Sequence, residues 1–368
     1  MLWKTALSSA SSSPASDSSP AISPCADSPP RRWFGRPSGP GLREALLWFW
    51  GVALAHNIAA AMMALFLFYL IRAIYDRPLT IVEMVQSNLL DPWFVPWLGG
   101  EQLLCFLFIV IAARRRITTC RYWTALTRVR PAHWVQTLLL ILPLATLCSQ
   151  VYLWAGDSWE QLAQKIPGVE GLDQMQAMNI PGLLRDRASL PVVLLILAVI
   201  PAIGEELVFR GVIGRGLTHR LGLFAGVLVT SVLFGMIHMH PAHALAVIPL
   251  GIALHLIAIW SGSLGPPILL HFLNNSLAVI SLMSDSRPPS QAMHESPASP
   301  ALLISAAALA ATLFWGMYRT RAVTSTAPSG QAAVTPAPSR STLYLTCLTL
   351  SLLAFTSLFL ANLFNTTI

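Results

Sequence analysis

The chain has 368 residues, of which 55% are hydrophobic and 11% charged, and its formal net charge is +7. A soluble domain carries roughly 25% charged residues, so this chain has too few polar groups to cover a surface that faces water, which excludes a purely soluble protein. The positive charge does not indicate nucleic-acid binding, because the Arg residues cluster in short loops beside apolar runs, as in membrane proteins. The five cysteines are scattered and include no CxxC pair, so we expect small buried side chains rather than disulfides or a cysteine metal site.

Two polar stretches flank or interrupt the apolar part of the chain. Residues 1–40 are rich in Ser, Pro and Ala and have almost no apolar content, so we expect a disordered tail. Residues 320–341 have a similar composition and lie between two apolar runs, which predicts a polar linker.

Between these stretches lie apolar segments of the length that a membrane-spanning helix needs, about 20 residues. We predict helices over residues 45–71, 97–113, 133–155, 189–212, 222–240, 243–261, 264–283, 301–318 and 342–364. The second segment is short and follows Pro92 and Pro96, so the count is about 8–9 helices. The sequence therefore predicts an all-α fold, a polytopic transmembrane helix bundle with a disordered Ser/Pro-rich N-terminal tail.

The distribution of Arg and Lys predicts the orientation, because short cytoplasmic loops carry an excess of both. One loop contains Arg114, Arg115, Arg116, Arg121, Arg128 and Arg130. The tail is also basic next to the first helix, so we expect the N-terminus and this loop in the cytoplasm. The loop over 156–188 contains Asp157, Glu160, Glu170 and Asp173 with few basic residues, which suits the outside.

The segment Pro201–Gly211 carries two adjacent carboxylates, Glu205 and Glu206, after a run of apolar residues. Ionisable groups within spanning helices cost roughly 2.5–3.5 kcal/mol each, so they indicate functional sites. Glu206 and Arg210 are four residues apart on a helix, where they share a face and can pair. Glu205 points about 100° away and lacks that partner, which suits it to general-base work. The alternative is an ion pair at the helix end, with Glu205 exposed at the cytoplasmic surface.

Two further polar motifs lie on later predicted helices. Phe234 and His238 are four residues apart, so the aromatic ring can pack beside the imidazole and hold its orientation. His271 and Asn275 have the same spacing, and the amide can orient the imidazole or donate a hydrogen bond to an oxyanion. Taken singly, each motif is also explained by a structural histidine or by an interhelical hydrogen bond.

Together, the three motifs form a set suited to activating water and stabilising a tetrahedral intermediate. In chain order they are Glu205-Glu206-x-x-x-Arg210, Phe234-x-x-x-His238 and His271-x-x-x-Asn275. They resemble the three motifs of the CPBP family, which comprises the CaaX prenyl endopeptidases of the Rce type and the bacterial Abi or bacteriocin-processing proteins. The resemblance covers roughly residues 189–283.

The resemblance implies an intramembrane protease in which Glu205 activates the hydrolytic water. His238 and His271 would position that water or bind a metal, and Asn275 would help to form the oxyanion hole.

Glu206, Arg210 and Phe234 would support the site. Two histidines and one glutamate are enough for a three-ligand zinc site, and they are also enough for a site without a metal. With Glu205 as a zinc ligand, the base would have to be Glu206, whose pairing with Arg210 makes it a poor one. The residues therefore favour a site that requires no metal, and zinc at His238 and His271 stays open.

The predicted function is that of an intramembrane endopeptidase acting on membrane-associated substrates, CaaX-type or leader-peptide-like. The alternative is a catalytically inactive immunity, scaffold or transport-associated protein of the same fold. The expected partners are a membrane-associated peptide or protein substrate and the lipid bilayer, and the expected location is the plasma membrane.

The segments are expected to divide the chain as follows: the tail 1–40, the first three helices with the outer loop 41–188, the catalytic core 189–283, the eighth helix region 284–319, the linker 320–341 and the C-terminal helix 342–368.

The remaining polar residues within apolar runs have simpler interpretations. We expect His240 and His243 at a polar loop rim and His255 in a structural role. His56 and Asn57 are expected to form hydrogen bonds between helices.

The predicted topology places two of the motif residues at different depths in the membrane. Glu205 lies near the cytoplasmic end of its predicted helix, whereas His238 lies towards the outer end of the next one. The two can meet if the first helix extends to about Thr218 or if the second starts later than Gly222.

Overall fold

The structure is a computed structural model that describes residues 40–75, 80, 91–117, 129–166, 184–185, 187–284, 297–321 and 342–366. Nearly all of the predicted tail, most of the Arg-rich loop, much of the outer loop and nearly all of the polar linker lie outside the described residues. Every regular element in the described part of the chain is helical, so the predicted all-α fold is confirmed.

In chain order the helices are α1 (Leu42–Tyr75), α2 (Phe94–Ile117), α3 (Pro131–Leu139), α4 (Ile141–Ala163), α5 (Leu190–Leu194), α6 (Ile200–Val208), α7 (Arg215–Met236), α8 (Pro241–Ser261), α9 (Gly265–Ser284), α10 (Pro300–Arg319) and α11 (Thr342–Thr366). A 3₁₀ turn, Asp91–Trp93, precedes α2. Two π-helical turns, Leu195–Val199 and Phe209–Gly214, flank α6. Each apolar segment that we predicted as a spanning helix corresponds to helix in the structure.

Several of these helices are long and apolar enough to cross a membrane. Among the described residues there are seven such stretches: Leu42–Tyr75, Phe94–Arg114, Pro131–Ala163, Leu190–Met236, Pro241–Ser261, Pro300–Arg319 and Thr342–Leu363. Helix α9 also has 20 residues, although it is not among these seven stretches. The chain is an integral multi-pass membrane protein.

The predicted helices over 189–212 and 222–240 are two helices that a single non-helical residue, Gly222, separates, so the connection is shorter than the nine residues that we expected. The chain turns sharply at Gly222, whose φ of 81° is positive and therefore suits glycine. The two helices then pack closely, because a Cβ atom on Gly226 would lie 2.4 Å from the Cα atom of Thr218. Because the helix continues past Thr218, Glu205 lies near the middle of the stretch between Leu190 and this turn. This extension of the first helix is one of the two arrangements that allow Glu205 and His238 to meet.

The predicted helix over 133–155 lies within one apolar stretch, Pro131–Ala163, which is interrupted between α3 and α4 only at Leu140. Pro143 explains the break: it has no N–H to donate, and its ring collides with the carbonyl four residues earlier, at Leu139. Helix α4 continues to Ala163, beyond the apolar run from which we predicted it.

The packing of the bundle brings α6 to α9 together. Helix α8 packs against both α4 and α7, and α6 packs against both α2 and α9. Gly235 permits the close approach of α7 to α8, because a Cβ atom there would lie 2.5 Å from the carbonyl oxygen of Ala244. Phe209 and Phe234 are fully buried in the core between these helices.

Candidate active site

The buried ion pair between Glu206 and Arg210 lies at the centre of the site. Arg210 Nη1 donates to Glu206 Oε1 at 2.6 Å, and both side chains are fully shielded. Arg210 Nη2 also donates to the carbonyl oxygen of Gly251, on α8, at 3.1 Å. The pairing that the four-residue spacing predicts is therefore present, and it joins the first motif to α8.

Glu206 has a second partner, which the sequence did not reveal. His271, on α9, donates from Nδ1 to Glu206 Oε1 at 3.0 Å. A carboxylate oxygen only accepts, so this contact places a proton on Nδ1, and in the neutral tautomer of the ring Nε2 carries the lone pair. Glu206 thus orients the ring, a role that the sequence suggested for the amide of Asn275.

Glu205 is the less buried member of the adjacent pair of carboxylates. Its side chain is 19% exposed, whereas that of Glu206 is fully buried. Glu205 Oε2 lies 3.8 Å from His271 Nε2, too far for a direct hydrogen bond, and it makes none within the described part of the chain. Glu205 also interacts electrostatically with His56, on α1.

His238 lies in the short turn that follows α7, and not within the helix predicted over 222–240, because α7 ends at Met236. Its Nδ1 donates to the carbonyl oxygen of Phe234 at 3.1 Å, so Nε2 carries the lone pair. Burial lowers the pKa of the His238 imidazole to about 4, which keeps the ring neutral at neutral pH. Its Nε2 is therefore able to accept a hydrogen bond from water or to bind a metal ion.

Phe234 joins the two histidines of the site. Its ring centroid lies 5.4 Å from that of His238 and 5.6 Å from that of His271, edge to face in both cases. The Arg210 guanidinium lies over the same ring at 4.4 Å, and Phe209 packs against it at 5.3 Å. The contact with His238 follows from the four-residue spacing of the motif. The other three partners, Phe209, Arg210 and His271, lie far from Phe234 in the chain, so their contacts depend on how the helices pack.

Asn275 lies one turn after His271 on α9 and is partly buried. Its side chain makes no hydrogen bond to the residues that the structure describes. Direct contacts link the other six predicted residues: Glu205, Glu206, Arg210, Phe234, His238 and His271. Asn275 is joined to this cluster through the backbone of α9.

The two histidines expected at a polar rim have aromatic neighbours. His240 packs edge to face against Trp159 with ring centroids 5.8 Å apart. The ring of His243 lies 4.7 Å from that of His238, so His243 contacts the site although its own side chain is exposed.

The other polar residues within the spans mostly follow their predictions. His255 is buried and bonds through Nε2 to Thr218 Oγ1 at 3.2 Å, as a structural residue would. The predicted hydrogen bond of His56 between helices is confirmed, with Glu101 of α2 as the partner. The prediction for Asn57 is wrong, because its amide donates to a carbonyl of its own helix one turn earlier.

The side chains that could bind zinc can be compared with the zinc site that the sequence analysis considered. Within the described residues, no three His, Cys, Asp or Glu side chains are grouped so that they could hold a metal ion. Nδ1 of His271 is occupied by Glu206, so the open nitrogen donors are the Nε2 atoms of His238 and His271. The described residues thus group no three-ligand set, and zinc at His238 and His271 stays a prediction.

Comparison with known proteins identifies this segment of the chain. Residues 187–277 match the family model described as type II CAAX prenyl endopeptidase Rce1-like. The match covers about a quarter of the chain and includes every residue of the three motifs. The predicted resemblance is thereby confirmed: the chain carries an Rce1-like domain, and this family implies protease activity. No curated protein and no solved structure matches the chain.

Proposed function

We propose that this chain, whose residues 187–277 are Rce1-like, is an intramembrane endopeptidase in which Glu205 activates the hydrolytic water. The observation that carries the proposal is the 3.8 Å separation between Glu205 Oε2 and His271 Nε2. With His271 neutral, both atoms are acceptors, and they repel each other unless a donor lies between them. A water molecule supplies two donors, so it is held against a carboxylate oxygen that has no other hydrogen bond in the described part of the chain.

The reaction then needs only groups that this chain supplies. Glu205 takes a proton from the water while the water oxygen bonds to the scissile carbonyl carbon. The amide of Asn275 donates to the oxyanion that forms, and the Nε2 atoms of His238 and His271 position the water. The proton passes from Glu205 to the amide nitrogen, and the C–N bond breaks to release an amine and a carboxylic acid.

The Glu206–Arg210 pair supports this chemistry without taking part in it. Because the two charges neutralise each other at 2.6 Å, they add no net charge to the membrane interior. Glu206 accepts hydrogen bonds from both Arg210 and His271 through one oxygen, which makes it a poor base. It holds His271 in the tautomer that directs a lone pair towards Glu205.

The position of the site supports a substrate at the membrane. Glu205 lies within a stretch long and apolar enough to span the membrane, so the scissile bond must reach it from the membrane or its surface. We therefore propose a membrane-associated peptide or protein substrate, either of the CaaX type or resembling a leader peptide. We further propose that the protein resides in the plasma membrane, with its N-terminus in the cytoplasm.

Replacing Glu205 by Gln tests the assignment, because the change removes the charge and leaves the shape. Cleavage by Glu205→Gln should fall by at least about 100-fold, the usual contribution of a general base. Its thermal unfolding temperature should match that of the wild type. The matched control is Glu160→Gln, at an exposed position of α4, which should keep the wild-type rate.

Two measurements test whether Glu205→Gln has lost cleavage activity and which substrate class the protein cleaves. New C-termini of membrane proteins are compared between cells that express the wild type and cells that express Glu205→Gln. The purified chain is then given prenylated and unprenylated versions of one peptide, which separates the two substrate classes. Cleavage by Glu205→Gln at the wild-type rate would contradict the assignment of Glu205 as the base. It would favour the alternative, a catalytically inactive membrane protein of the same fold.

A further inference from the structure

The turn between α7 and α8, which carries His238, has a strained backbone. The N–H of His240 donates to the carbonyl oxygen of His238 at 2.7 Å, which closes a three-residue turn around Met239. The φ of Met239 is 65°, a positive value that no other non-glycine residue in the described part of the chain adopts. Such turns are rare and strained, and they persist only where the surrounding structure fixes them. The contacts that fix this turn therefore also set the position of the His238 imidazole.

The two helices next to the turn provide the local part of this support. The backbone N–H groups of His238 and Met239 donate to carbonyl oxygens in the last turn of α7. The carbonyl oxygen of His240 accepts from an N–H in the first turn of α8 at 2.8 Å, and Pro241 begins that helix. All of these bonds join residues close together in the chain. The position of the turn relative to the rest of the bundle therefore depends on contacts with other helices.

Helix α4 supplies two such contacts through aromatic side chains. The ring of Trp159 packs edge to face against His240 with centroids 5.8 Å apart, and the ring of Tyr152 packs in the same way against His243 at 6.4 Å. Tyr152 and Trp159 are seven residues apart, about two helical turns, so they lie on the same face of α4. Because the ring of His243 lies 4.7 Å from that of His238, Tyr152 reaches the His238 imidazole through one intervening side chain.

We propose that Tyr152 and Trp159 are positioning residues of the active site, which hold the turn of His238 in place through His243 and His240. The inference rests on the proposed hydrolysis, in which His238 positions the water. Both aromatic residues lie outside residues 187–277, so the site extends to a helix that the family model does not cover. The reason is geometric, because a displacement of about 1 Å at a reacting group can reduce turnover about 100-fold.

The first experiment measures cleavage by variants of Trp159. Trp159→Leu removes the aromatic ring and keeps an apolar side chain, so turnover at saturating substrate should fall by about 10–100-fold. The KM should change by less than about threefold, because the change displaces His238 and leaves substrate binding intact. Trp159→Phe keeps a ring that can pack edge to face and should recover most of the turnover. The matched control is Trp154→Leu on the same helix, where the side chain is 69% exposed, and it should keep the wild-type turnover.

The second experiment observes His238 directly and needs no substrate. Nitrogen NMR of the full chain in detergent, with isotopically labelled histidine, reports which ring nitrogen carries the proton. In the wild type His238 should be protonated at Nδ1, because this atom donates to the carbonyl oxygen of Phe234. The signal is assigned by its absence from the spectrum of His238→Gln. In Trp159→Leu it should move towards the mixture of tautomers that an unconstrained imidazole shows, and in Trp154→Leu it should stay as in the wild type.

The signal of His255 separates the turn from the fold as a whole. His255 is buried and bonds to Thr218, away from the turn, so it should not change in Trp159→Leu. An unchanged His238 signal in Trp159→Leu would overturn the proposal, and so would equal changes at His238 and His255, which would show a general structural role. A wild-type protein that cleaves no peptide would instead contradict the proposed hydrolysis, because the spectra do not depend on cleavage.

Discussion

Replacement of Glu206 by Met removes the carboxylate that pairs with Arg210. The Arg210 side chain is fully shielded, and after the change its remaining hydrogen bond is the 3.1 Å contact with the carbonyl oxygen of Gly251. Removing one partner of a buried ion pair costs about 3–5 kcal/mol, because the other charge stays buried without compensation. We therefore expect Glu206→Met to lower the free energy of unfolding by about that amount.

The double variant Glu206→Met with Arg210→Met separates stability from catalysis. Replacing both members of a buried ion pair by apolar side chains is often neutral or stabilising. The free energy of unfolding of the double variant should therefore lie within about 1 kcal/mol of the wild-type value or above it. His271 has still lost the acceptor of its Nδ1 proton, which lay at 3.0 Å. Losing the carboxylate that holds a catalytic imidazole in its tautomer reduces turnover strongly, so we expect cleavage to fall by at least about 100-fold in both variants.

Unfolding in detergent, followed by circular dichroism with increasing denaturant, measures the stability of the three proteins, and peptide cleavage under saturating substrate measures their turnover. A double variant that is as unstable as the single one would show that the uncompensated charge of Arg210 is not the source of the loss. A stable double variant with wild-type turnover would show that Glu206 does not orient His271 for catalysis.

The other predictions concern Asn275, a helix contact and metal dependence. Asn275→Ala should lower turnover by about 10²–10³-fold, the value of one oxyanion donor, with an unchanged unfolding temperature, because its amide makes no hydrogen bond to the described residues. Gly235→Ala places a Cβ atom 2.5 Å from the Ala244 carbonyl oxygen and should cost about 1–3 kcal/mol in thermal unfolding, whereas Gly51→Ala, with nothing within 4 Å, should cost no more than a few tenths. A zinc chelator should leave cleavage unchanged, since no three-ligand set is grouped among the described residues; a loss that zinc restores would refute this.

The parts of the site that could be predicted are those that local geometry controls. Glu206 and Arg210 are four residues apart on one helical run, so their contact follows from the helical repeat. The contact between Glu206 and His271 joins residues 65 positions apart, and the helical repeat predicts contacts only between residues three or four positions apart. The same limit applies to Phe234, whose contact with His271 depends on how α9 packs beside α7.

The helix boundaries show a related limit. We predicted that one helix ends at residue 212, but the structure continues as helix to the break at Gly222. Backbone N–H and C=O groups next to lipid need internal partners, and continued helix supplies them whatever the side chains are. Composition therefore located the spans but not where each helix ends.

The sequence by itself determined that this is a multi-pass membrane protein with an all-α fold, and which ionisable side chains lie within its apolar segments. Hydropathy and the helical repeat are properties of short segments, so they can be read without knowing the fold. Only the tertiary structure decided that Glu206 is shared by Arg210 and His271, that Glu205 faces His271 across 3.8 Å, and that Glu101 lies beside His56. Those contacts connect different helices, and their existence depends on the packing of the whole bundle.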